Sequence, residues 1–512
     1  MKKKYCLSVA SLLAPVLLCS AAAPDSRKPN VVLIYADDLG FGDLECYGAK
    51  NIATPNANRL AAEGVRFTNG HAVAATSTPS RYSLLTGMYA WRREGTDVAP
   101  GNAGMIIRPE QYTMADVFKG AGYATAAFGK WHLGLGDSTA TQDWNAQLPA
   151  ALGDLGFDYS YIMAATADRV PCVFIENGHV ANYDSLAPIE VDYKKNFTGE
   201  PTGRDNPELL TKLRPSHGHD QAIVNGISRI GYMKGGGKAL WKDENIADSI
   251  TVHAVDFISE HADEPFFIYF ATNDVHVPRY PHDRFRGKNP MGLRGDAIAQ
   301  FDWSVGRIMH ALDSLGLADN TLIILSSDNG PVVDDGYDDK AEELLNGHSP
   351  TGHLRGGKYS AFEGGSRVPV IVRWPEGNVP AGVESDALLS QIDWLAAFAN
   401  LVGQRIPRGQ APDSRGDGLA TLLTGGNSVQ RSYVIEQANN RTLSVRTPRW
   451  KYIEPSNGPA MVPWGPKIET GYRPEAQLFD LSDEGEIVNV ASEHPDIVEA
   501  LAKILAEERQ KE

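Results

Sequence analysis

The sequence predicts an α/β protein: a sandwich with a large, mostly parallel central sheet flanked by helices, plus a smaller C-terminal antiparallel sheet with one helix. Three observations carry that prediction. Short, nearly continuous apolar runs alternate with helical patterns from Pro29 onward. Two of those runs end abruptly in Asp, Asn and Gly, as buried parallel strands do where they enter loops. Beyond about residue 401 the alternation stops, and four short β-rich runs precede one amphipathic segment.

The chain opens with a leader. Lys2, Lys3 and Lys4 precede an apolar stretch from residue 7 to residue 18, and Ser20, Ala21, Ala22 and Ala23 follow. Charge, apolar run and small residues in that order predict a signal peptide over 1–23, and hence export to the periplasm or cell surface. The run is too short to cross a bilayer, which ranks a membrane anchor below a cleaved signal. A third alternative makes Cys19 the lipidated first residue of the mature chain, although Leu18 before it is bulkier than the usual small residue. No later apolar stretch is long enough for a transmembrane helix.

The α/β unit is expected over 24–405. Asn30, Val31, Val32, Leu33, Ile34 and Tyr35 run into Ala36, Asp37, Asp38, Leu39 and Gly40. Residues 321–326 likewise run into Ser327, Asp328, Asn329 and Gly330. Residues 266–270 and 368–372 have the same strand character. Helices are expected over 54–64, 113–122, 246–261 and 296–315. Residues 137–242 are rich in Asn, Asp, Gly and Pro with weak periodicity, so they read as long excursions of the kind that binds ligands. The C-terminal unit is expected over 406–512. Its residues 407–418 are linker-like, and strands are expected over 433–437, 442–445, 450–453 and 477–481. Residues 495–508 place Ile497, Leu501, Ile504 and Leu505 on one helix face.

Composition narrows function by exclusion. The 512 residues carry a formal net charge of −16, without the basic excess that a nucleic-acid partner favours. A small anionic ligand remains compatible, because a site can be locally basic on an acidic protein. Once the leader is removed, Cys46 and Cys172 are left of four cysteines. They make no disulfide framework, and whether they pair is not legible.

Two strand ends bring Asp37, Asp38, Asp328 and Asn329 to the edge of the sheet where ligands of open α/β folds gather. Carboxylates and an amide, with no Cys or His among them, suit a hard cation such as calcium or magnesium better than zinc. Ordinary turn chemistry is the alternative, since Asp-Asp and Asp-Asn-Gly both form turns. In the segment 77–87, Pro79 suits the first turn of a helix, Ser77 or Thr78 can cap it, and Gly87 can end it. Ser77 then lies at a helix start whose unpaired N–H groups favour an anion, and Arg81 shares its side of the helix. A simple capped helix accounts for the same residues.

The pattern of Ser77, Pro79 and Arg81 followed by Thr86 and Gly87 closely resembles the signature of the type I, formylglycine-dependent sulfatases, arylsulfatase-like and of the serine type. Other motifs follow in that family's order. Asp37 and Asp38 match its first metal pair, and Lys130 and His132 match its Gly-Lys-x-His element. His276 matches its His-x-Pro element, Asp328 and Asn329 its second metal pair, and Lys358 its late lysine. The motifs span about 29–400, and the C-terminal part agrees in layout. The resemblance implies an alkaline-phosphatase-like sandwich with its catalytic domain over 24–405. The segment 168–180 resembles gut-bacterial carbohydrate sulfatases acting on host glycans.

The resemblance also implies a reaction. Ser77 is oxidised to formylglycine (3-oxoalanine); one hydroxyl of its hydrate attacks sulfur and releases the alcohol. The other hydroxyl is then deprotonated, and sulfate leaves as the aldehyde returns. Arg81 and Lys130 hold the hydrate. Ca2+, bound by Asp37, Asp38, Asp328, Asn329 and the modified Ser77, polarises nucleophile and sulfate. His276 and Lys358 flank the leaving oxygen, with His276 as general acid, and His132 is the base of the second step. A serine precursor implies maturation before export by an anaerobic sulfatase-maturating radical S-adenosylmethionine enzyme. The implied substrate is a sulfated carbohydrate from mucin or glycosaminoglycan, with terminal 3-O-sulfated galactose or N-acetylgalactosamine as the specific expectation. His179 and Arg355 are candidate contacts to sugar hydroxyls, set against a turn histidine and a surface arginine. Three alternatives stand beside this reading: a phosphate or phosphonate monoester hydrolase of the same superfamily, a catalytically inert glycan-binding homologue, and sulfate transfer to an acceptor. Relatives acting on phosphorus typically use two transition metals and more His ligands than this chain offers.

Overall fold

The computed structural model describes Met1 and residues 27–137, 142–426, 431–482 and 485–511. Apart from Met1, the expected leader with its Cys19 lies outside the described residues. Five parallel strands form the centre of a ten-stranded mixed sheet, in the spatial order Thr321–Ser327, Asn30–Ala36, Phe266–Ala271, Ala124–Lys130 and Tyr159–Met163. Asn30–Ala36 is paired on both sides, with Val32 opposite both Ile268 and Ile323. All seven of its residues are buried, because helices cover both faces of the sheet.

Antiparallel pairs flank the parallel centre on both sides, and one further parallel pair, Val383–Ser385 with Val65–Phe67, closes one edge. Val370–Arg373 runs against Thr321–Ser327, Val65–Phe67 runs against Val370–Arg373, and Val383–Ser385 closes that edge. Residues 368–372 are therefore not a further parallel strand. The long connection 328–369, with one short helix at Glu363–Ser366, crosses the site edge and brings the chain back antiparallel, Ile324 opposite Val372. The other edge is the pair Phe174–Glu176 and His179–Val180. Thus the stretch read as excursions first supplies three strands to the main sheet, of two to five residues each, too short to show a period. It then departs into two ribbons, Glu190–Asp192 with Tyr232–Lys234 and Ile223–Val224 with Ile227–Ser228.

The expected helices form at Pro55–Ala62, Met114–Gly120, Ile246–Glu260 and Gly292–Ser314. Thr113 and Asp116 make a capping box that opens the second of them. Trp394–Val402 was not anticipated. Its first six residues are all buried, so it lacks the polar stripe by which a surface helix is recognised.

The C-terminal part forms a four-stranded antiparallel sheet from Val434–Gln437, Leu443–Arg446, Trp450–Ile453 and Gln477–Asp480, followed by the helix Pro495–Gln510. Leu501 and Leu505 of that helix pack with Ile435, Val445 and Leu478 in a cluster that also takes in Val73, Tyr89 and Ile392. A buried ionic network joins the same two parts. His71 Nδ1 lies 2.7 Å from Glu436 Oε1, Lys451 pairs with Glu436 and reaches Glu363 at 3.2 Å, and Arg446 reaches Glu363 at 3.4 Å. Among the described residues no helix is long and apolar enough to cross a membrane. Cys46 and the buried Cys172 are not bonded to each other.

Glu486 borders this network. One of its oxygens accepts the Glu363 N–H at 2.8 Å, and the other has no partner. Burial pushes its carboxyl up to about 8; Lys451 pulls the other way, and Glu363 adds to the rise. A group whose folded value is raised contributes stability that is complete below its unfolded value of about 4.3 and is lost as pH rises through the folded value. Glu486→Gln removes the charge but keeps the size. Its midpoint relative to the parent should climb by about 2–5 °C between about pH 5 and about pH 9. A constant difference in calorimetric scans across that range would show that Glu486 does not titrate this way.

Candidate active site

Three strand ends and one helix start meet at a single edge of the sheet. Asp37 and Asp38 follow Asn30–Ala36, Asp328 and Asn329 follow Thr321–Ser327, and Lys130 ends Ala124–Lys130. Parallel register brings all three ends to the same side, so the Asp38 N–H donates to Asp328 Oδ1 at 3.2 Å although the two stand 290 positions apart. Gly330 lets the second strand end lie against the turn at 364–365, since a Cβ there would be 1.7 Å from the Gly364 carbonyl oxygen.

The helix Ser77–Thr86 has Thr76, not Ser77 or Thr78, at its N-cap position, with no side-chain capping bond, and Gly87 closes it in the left-handed region at φ 62°. Moving the cap back one residue leaves the Ser77 side chain to face the carboxylates. Its Oγ lies 2.7 Å from Lys130 Nζ, 3.4 Å from Asn329 Oδ1 and 3.5 Å from Asp37 Oδ1. Arg81, one turn on and fully buried, donates to Asp328 through Nε at 3.0 Å and to the Tyr269 hydroxyl at 3.0 Å.

The charges balance closely. Lys130 Nζ lies 2.5 Å from Asp37, and Lys358 Nζ lies 2.7 Å from Asp38 and 2.9 Å from Asp335. Four carboxylates (Asp37, Asp38, Asp328, Asp335) face three cations (Arg81, Lys130, Lys358), a sum of −1. A divalent ion would make that +1, opposite to the single charge of a sulfate monoester. The donor set fits such an ion. Asp37 Oδ2 is buried without a hydrogen-bond partner, and Asp37, Asp38 and His276 offer ligand atoms within 4.8 Å of one another. Oxygen-rich sites of this kind suit calcium.

Two histidines present free ring nitrogens. His132 Nε2 donates to the Ala99 carbonyl at 2.9 Å, which leaves the buried Nδ1 lone pair without a partner. Burial holds its pKa well below the ordinary value, and Lys130 and Arg169 add to this, so the ring stays neutral. His276 Nδ1 donates to the Val277 carbonyl at 2.6 Å, and its Nε2 lies 3.8 Å from Asp38. Burial lowers the Lys130 pKa against the pull of Asp37. For Lys358 burial also opposes the charge, but Asp335 and Asp38 outweigh it and hold the ammonium well above its usual range.

Ser77, His132, His276 and Lys358 line a cavity of about 240 Å³. That is below the roughly 300–1,000 Å³ of drug-sized pockets, so the cavity suits a small ligand group. Asp168, Arg169, His219, Asp335 and Tyr359 line it too, together with Trp464 from the C-terminal part. Of these six, Asp168 and Arg169 fall in the segment 168–180 singled out in the sequence; the other four did not stand out. Asp168 opens the segment 168–180 but carries no motif of its own, and Asp335 sits in a run that reads as a turn. The two expected sugar contacts lie elsewhere. His179 is on the edge strand of the sheet, with its ring against Tyr183. Arg355 is clamped by Glu469 at 2.7 Å and by the Glu486 carbonyl at 2.6 Å. Arg355 does not share the pocket with Lys358, because the backbone between them passes through the left-handed region at Gly356, φ 81°.

Residues 29–404 match the family model described as Sulfatase. The N-acetylgalactosamine-6-O-sulfatase of Bacteroides thetaiotaomicron is 54% identical over 482 residues, which cover 94% of this chain and 93% of that protein. Human arylsulfatase A is 30% identical, over 96% of this chain and 89% of its own length. A solved structure of a protein from the metabolism of multiple glycosaminoglycans in Bacteroides thetaiotaomicron superposes with a TM-score of 0.92 at 53% identity, covering 95% of this chain and 100% of that one.

The buried, unpaired oxygen of Asp37 leads to a metal prediction. Calcium at about one hundred times its dissociation constant should stabilise the chelator-stripped protein by about 2.7 kcal/mol, or about 2–3 °C in thermal midpoint. Asp328→Asn should abolish most of that rise in a fluorescence melt. An unmoved midpoint in the parent protein would count against the site.

Proposed function

The chain belongs to the sulfatase family, and on that premise we propose that it removes the 6-O-sulfate of N-acetylgalactosamine in sulfated host glycans. The observation that carries the chemistry is Ser77 Oγ, 2.7 Å from Lys130 Nζ at the floor of a small polar cavity. The relative's name favours O6 over the O3 expected from the sequence. Geometry supports the same choice. An O6 sulfate stands off the ring on a methylene, so it reaches the floor while the ring stays level with the walls. There Asp168 accepts from Arg169 at 2.9 Å and lies 3.0 Å from His219 Nε2, a held trio suited to ring hydroxyls.

Ser77 is oxidised to formylglycine before export by an anaerobic radical S-adenosylmethionine maturase, and the hydrated aldehyde then supplies the nucleophile toward sulfur. Asp37, Asp38, Asp328, Asn329 and residue 77 would hold calcium, which would supply Lewis-acid polarisation. Lys130 and Arg81 orient residue 77 and keep its environment cationic. Lys358, kept protonated by Asp335 and Asp38, pairs with a sulfate oxygen. His276, charged when Nε2 also carries a proton, gives that proton to the departing sugar oxygen. His132, neutral with Nδ1 free, accepts the proton that sets sulfate loose. The chain works in the periplasm or at the cell surface, with its catalytic domain over 24–405 and a C-terminal unit over 406–512.

Protein matured by co-expression with the maturase should release sulfate from N-acetylgalactosamine 6-sulfate, and protein made without it should be at least about 10³-fold slower. Release from the 3-sulfate instead, or faster hydrolysis of nitrophenyl phosphate than of nitrophenyl sulfate, would overturn the assignment. His276→Ala should lower kcat on the sugar sulfate by about 10²–10⁴-fold. It should affect nitrophenyl sulfate far less, because nitrophenolate leaves without a proton. Equal losses on both substrates would remove His276 from the role of acid.

A further inference from the structure

The cavity has a buried polar floor and an exposed apolar rim. Ser77, His276 and Lys358 are 3–4% exposed, whereas Trp464 and Val98, which line the same cavity, are 43% and 38% exposed. Trp464 thus sets a large apolar face at the mouth of a polar site.

Trp464 is presented by a braced arm. Residues 459–470 leave the C-terminal sheet and double back. Val462 N–H donates to the Ile468 carbonyl at 2.9 Å, Thr470 N–H donates to the Ala460 carbonyl at 3.0 Å, and Met461 pairs with Glu469. The tip rests on the main unit at three points. Lys467 binds Glu342 at 2.5 Å, and Gly465 lies so close to His217 that a Cβ would be 2.2 Å from the ring. Trp464 meets Tyr359 edge-on at 5.0 Å, and the Tyr359 hydroxyl donates to Asp335 at 2.9 Å. A fixed indole beside a polar pocket is an aromatic platform set at low entropic cost.

We propose that Trp464, with Val98 and Asn439 beside it, forms a second carbohydrate subsite that stacks the sugar next to the sulfated residue. This rests on the carbohydrate reading above. The cavity of about 240 Å³ is small beside the roughly 300–1,000 Å³ of drug-sized pockets, so a glycan longer than the sulfated residue extends from it across the rim. The face of a pyranose is a patch of C–H groups that packs on an indole, while its edge carries hydroxyls. Asn439, delivered by the same C-terminal unit, supplies an amide for such a hydroxyl. The C-terminal unit thereby sets how much of the glycan is bound, while the α/β unit does the chemistry.

The test compares matured parent, Trp464→Ala, Trp464→Leu and Trp464→Phe on N-acetylgalactosamine 6-sulfate and on a disaccharide ending in that residue. In the parent, kcat/KM should favour the disaccharide. In Trp464→Ala and Trp464→Leu the ratio of disaccharide to monosaccharide should fall about tenfold, through KM, as loss of one stacking contact predicts. Trp464→Phe should keep most of it. Should the Ala variant fail to fold, the Leu and Phe pair decides. An unchanged ratio in Leu, or an equal fall in Leu and Phe, overturns the subsite. No sulfate release by the matured parent from either sugar overturns the functional reading instead.

Discussion

Asp37, Asp38, Asp328 and Asp335 are buried together at one edge of a parallel sheet. An ionised carboxylate in that position costs several kcal/mol unless cations and hydrogen bonds face it. Arg81, Lys130 and Lys358 answer that need, and each is itself buried and would be equally unfavourable alone. The pairing also explains opposite proton affinities within a few ångströms. Arg81 and Lys130 hold the Asp328 carboxyl well below its usual range against burial, whereas for Asp37 burial wins and raises it. One charge is left uncompensated in the seven-residue set, and one carboxylate oxygen has no partner. A divalent cation removes both deficits and turns the floor toward an anionic ester.

The same constraint organises what surrounds the floor. The strand ends must be held in register to a fraction of an ångström, and Asn30–Ala36, paired on both sides, does this for Asp37 and Asp38. The Ser77 helix is buried over all ten residues, so its start does not shift relative to the carboxylates. The C-terminal unit is tied on by the apolar cluster around Leu501 and by the Lys451, Glu436 and Glu363 network. Without that second anchor the arm bearing Trp464 would have no fixed position over the cavity.

Much of the fold was legible because its elements are strongly patterned. Thr321–Ser327 and Phe266–Ala271 are continuous apolar runs, and Ile246–Glu260 has a clear helical face. The misses have physical causes. Trp394–Val402 is apolar on all sides, and the strands at 159–180 are too short to show a period. The direction of Val370–Arg373 depends on the route of the loop before it. Arg355 stands three residues before Lys358, but Gly356 between them adopts φ 81° and Glu469 takes the guanidinium.

By itself the sequence determined the chemistry available at the site. It supplies paired acidic groups at the ends of apolar strands, a serine at a helix start with an arginine one turn on, and lysines and histidines in fixed order. Such features are local, set by residue type and short spacing, and they need no knowledge of distant neighbours. Only the tertiary structure decided which polar groups share the cavity with them. Asp168, His219, Asp335 and Trp464 come from four separate loops, and no short-range pattern relates them. Their meeting depends on the paths of loops across the sheet edge, and those paths are set by packing over the whole molecule.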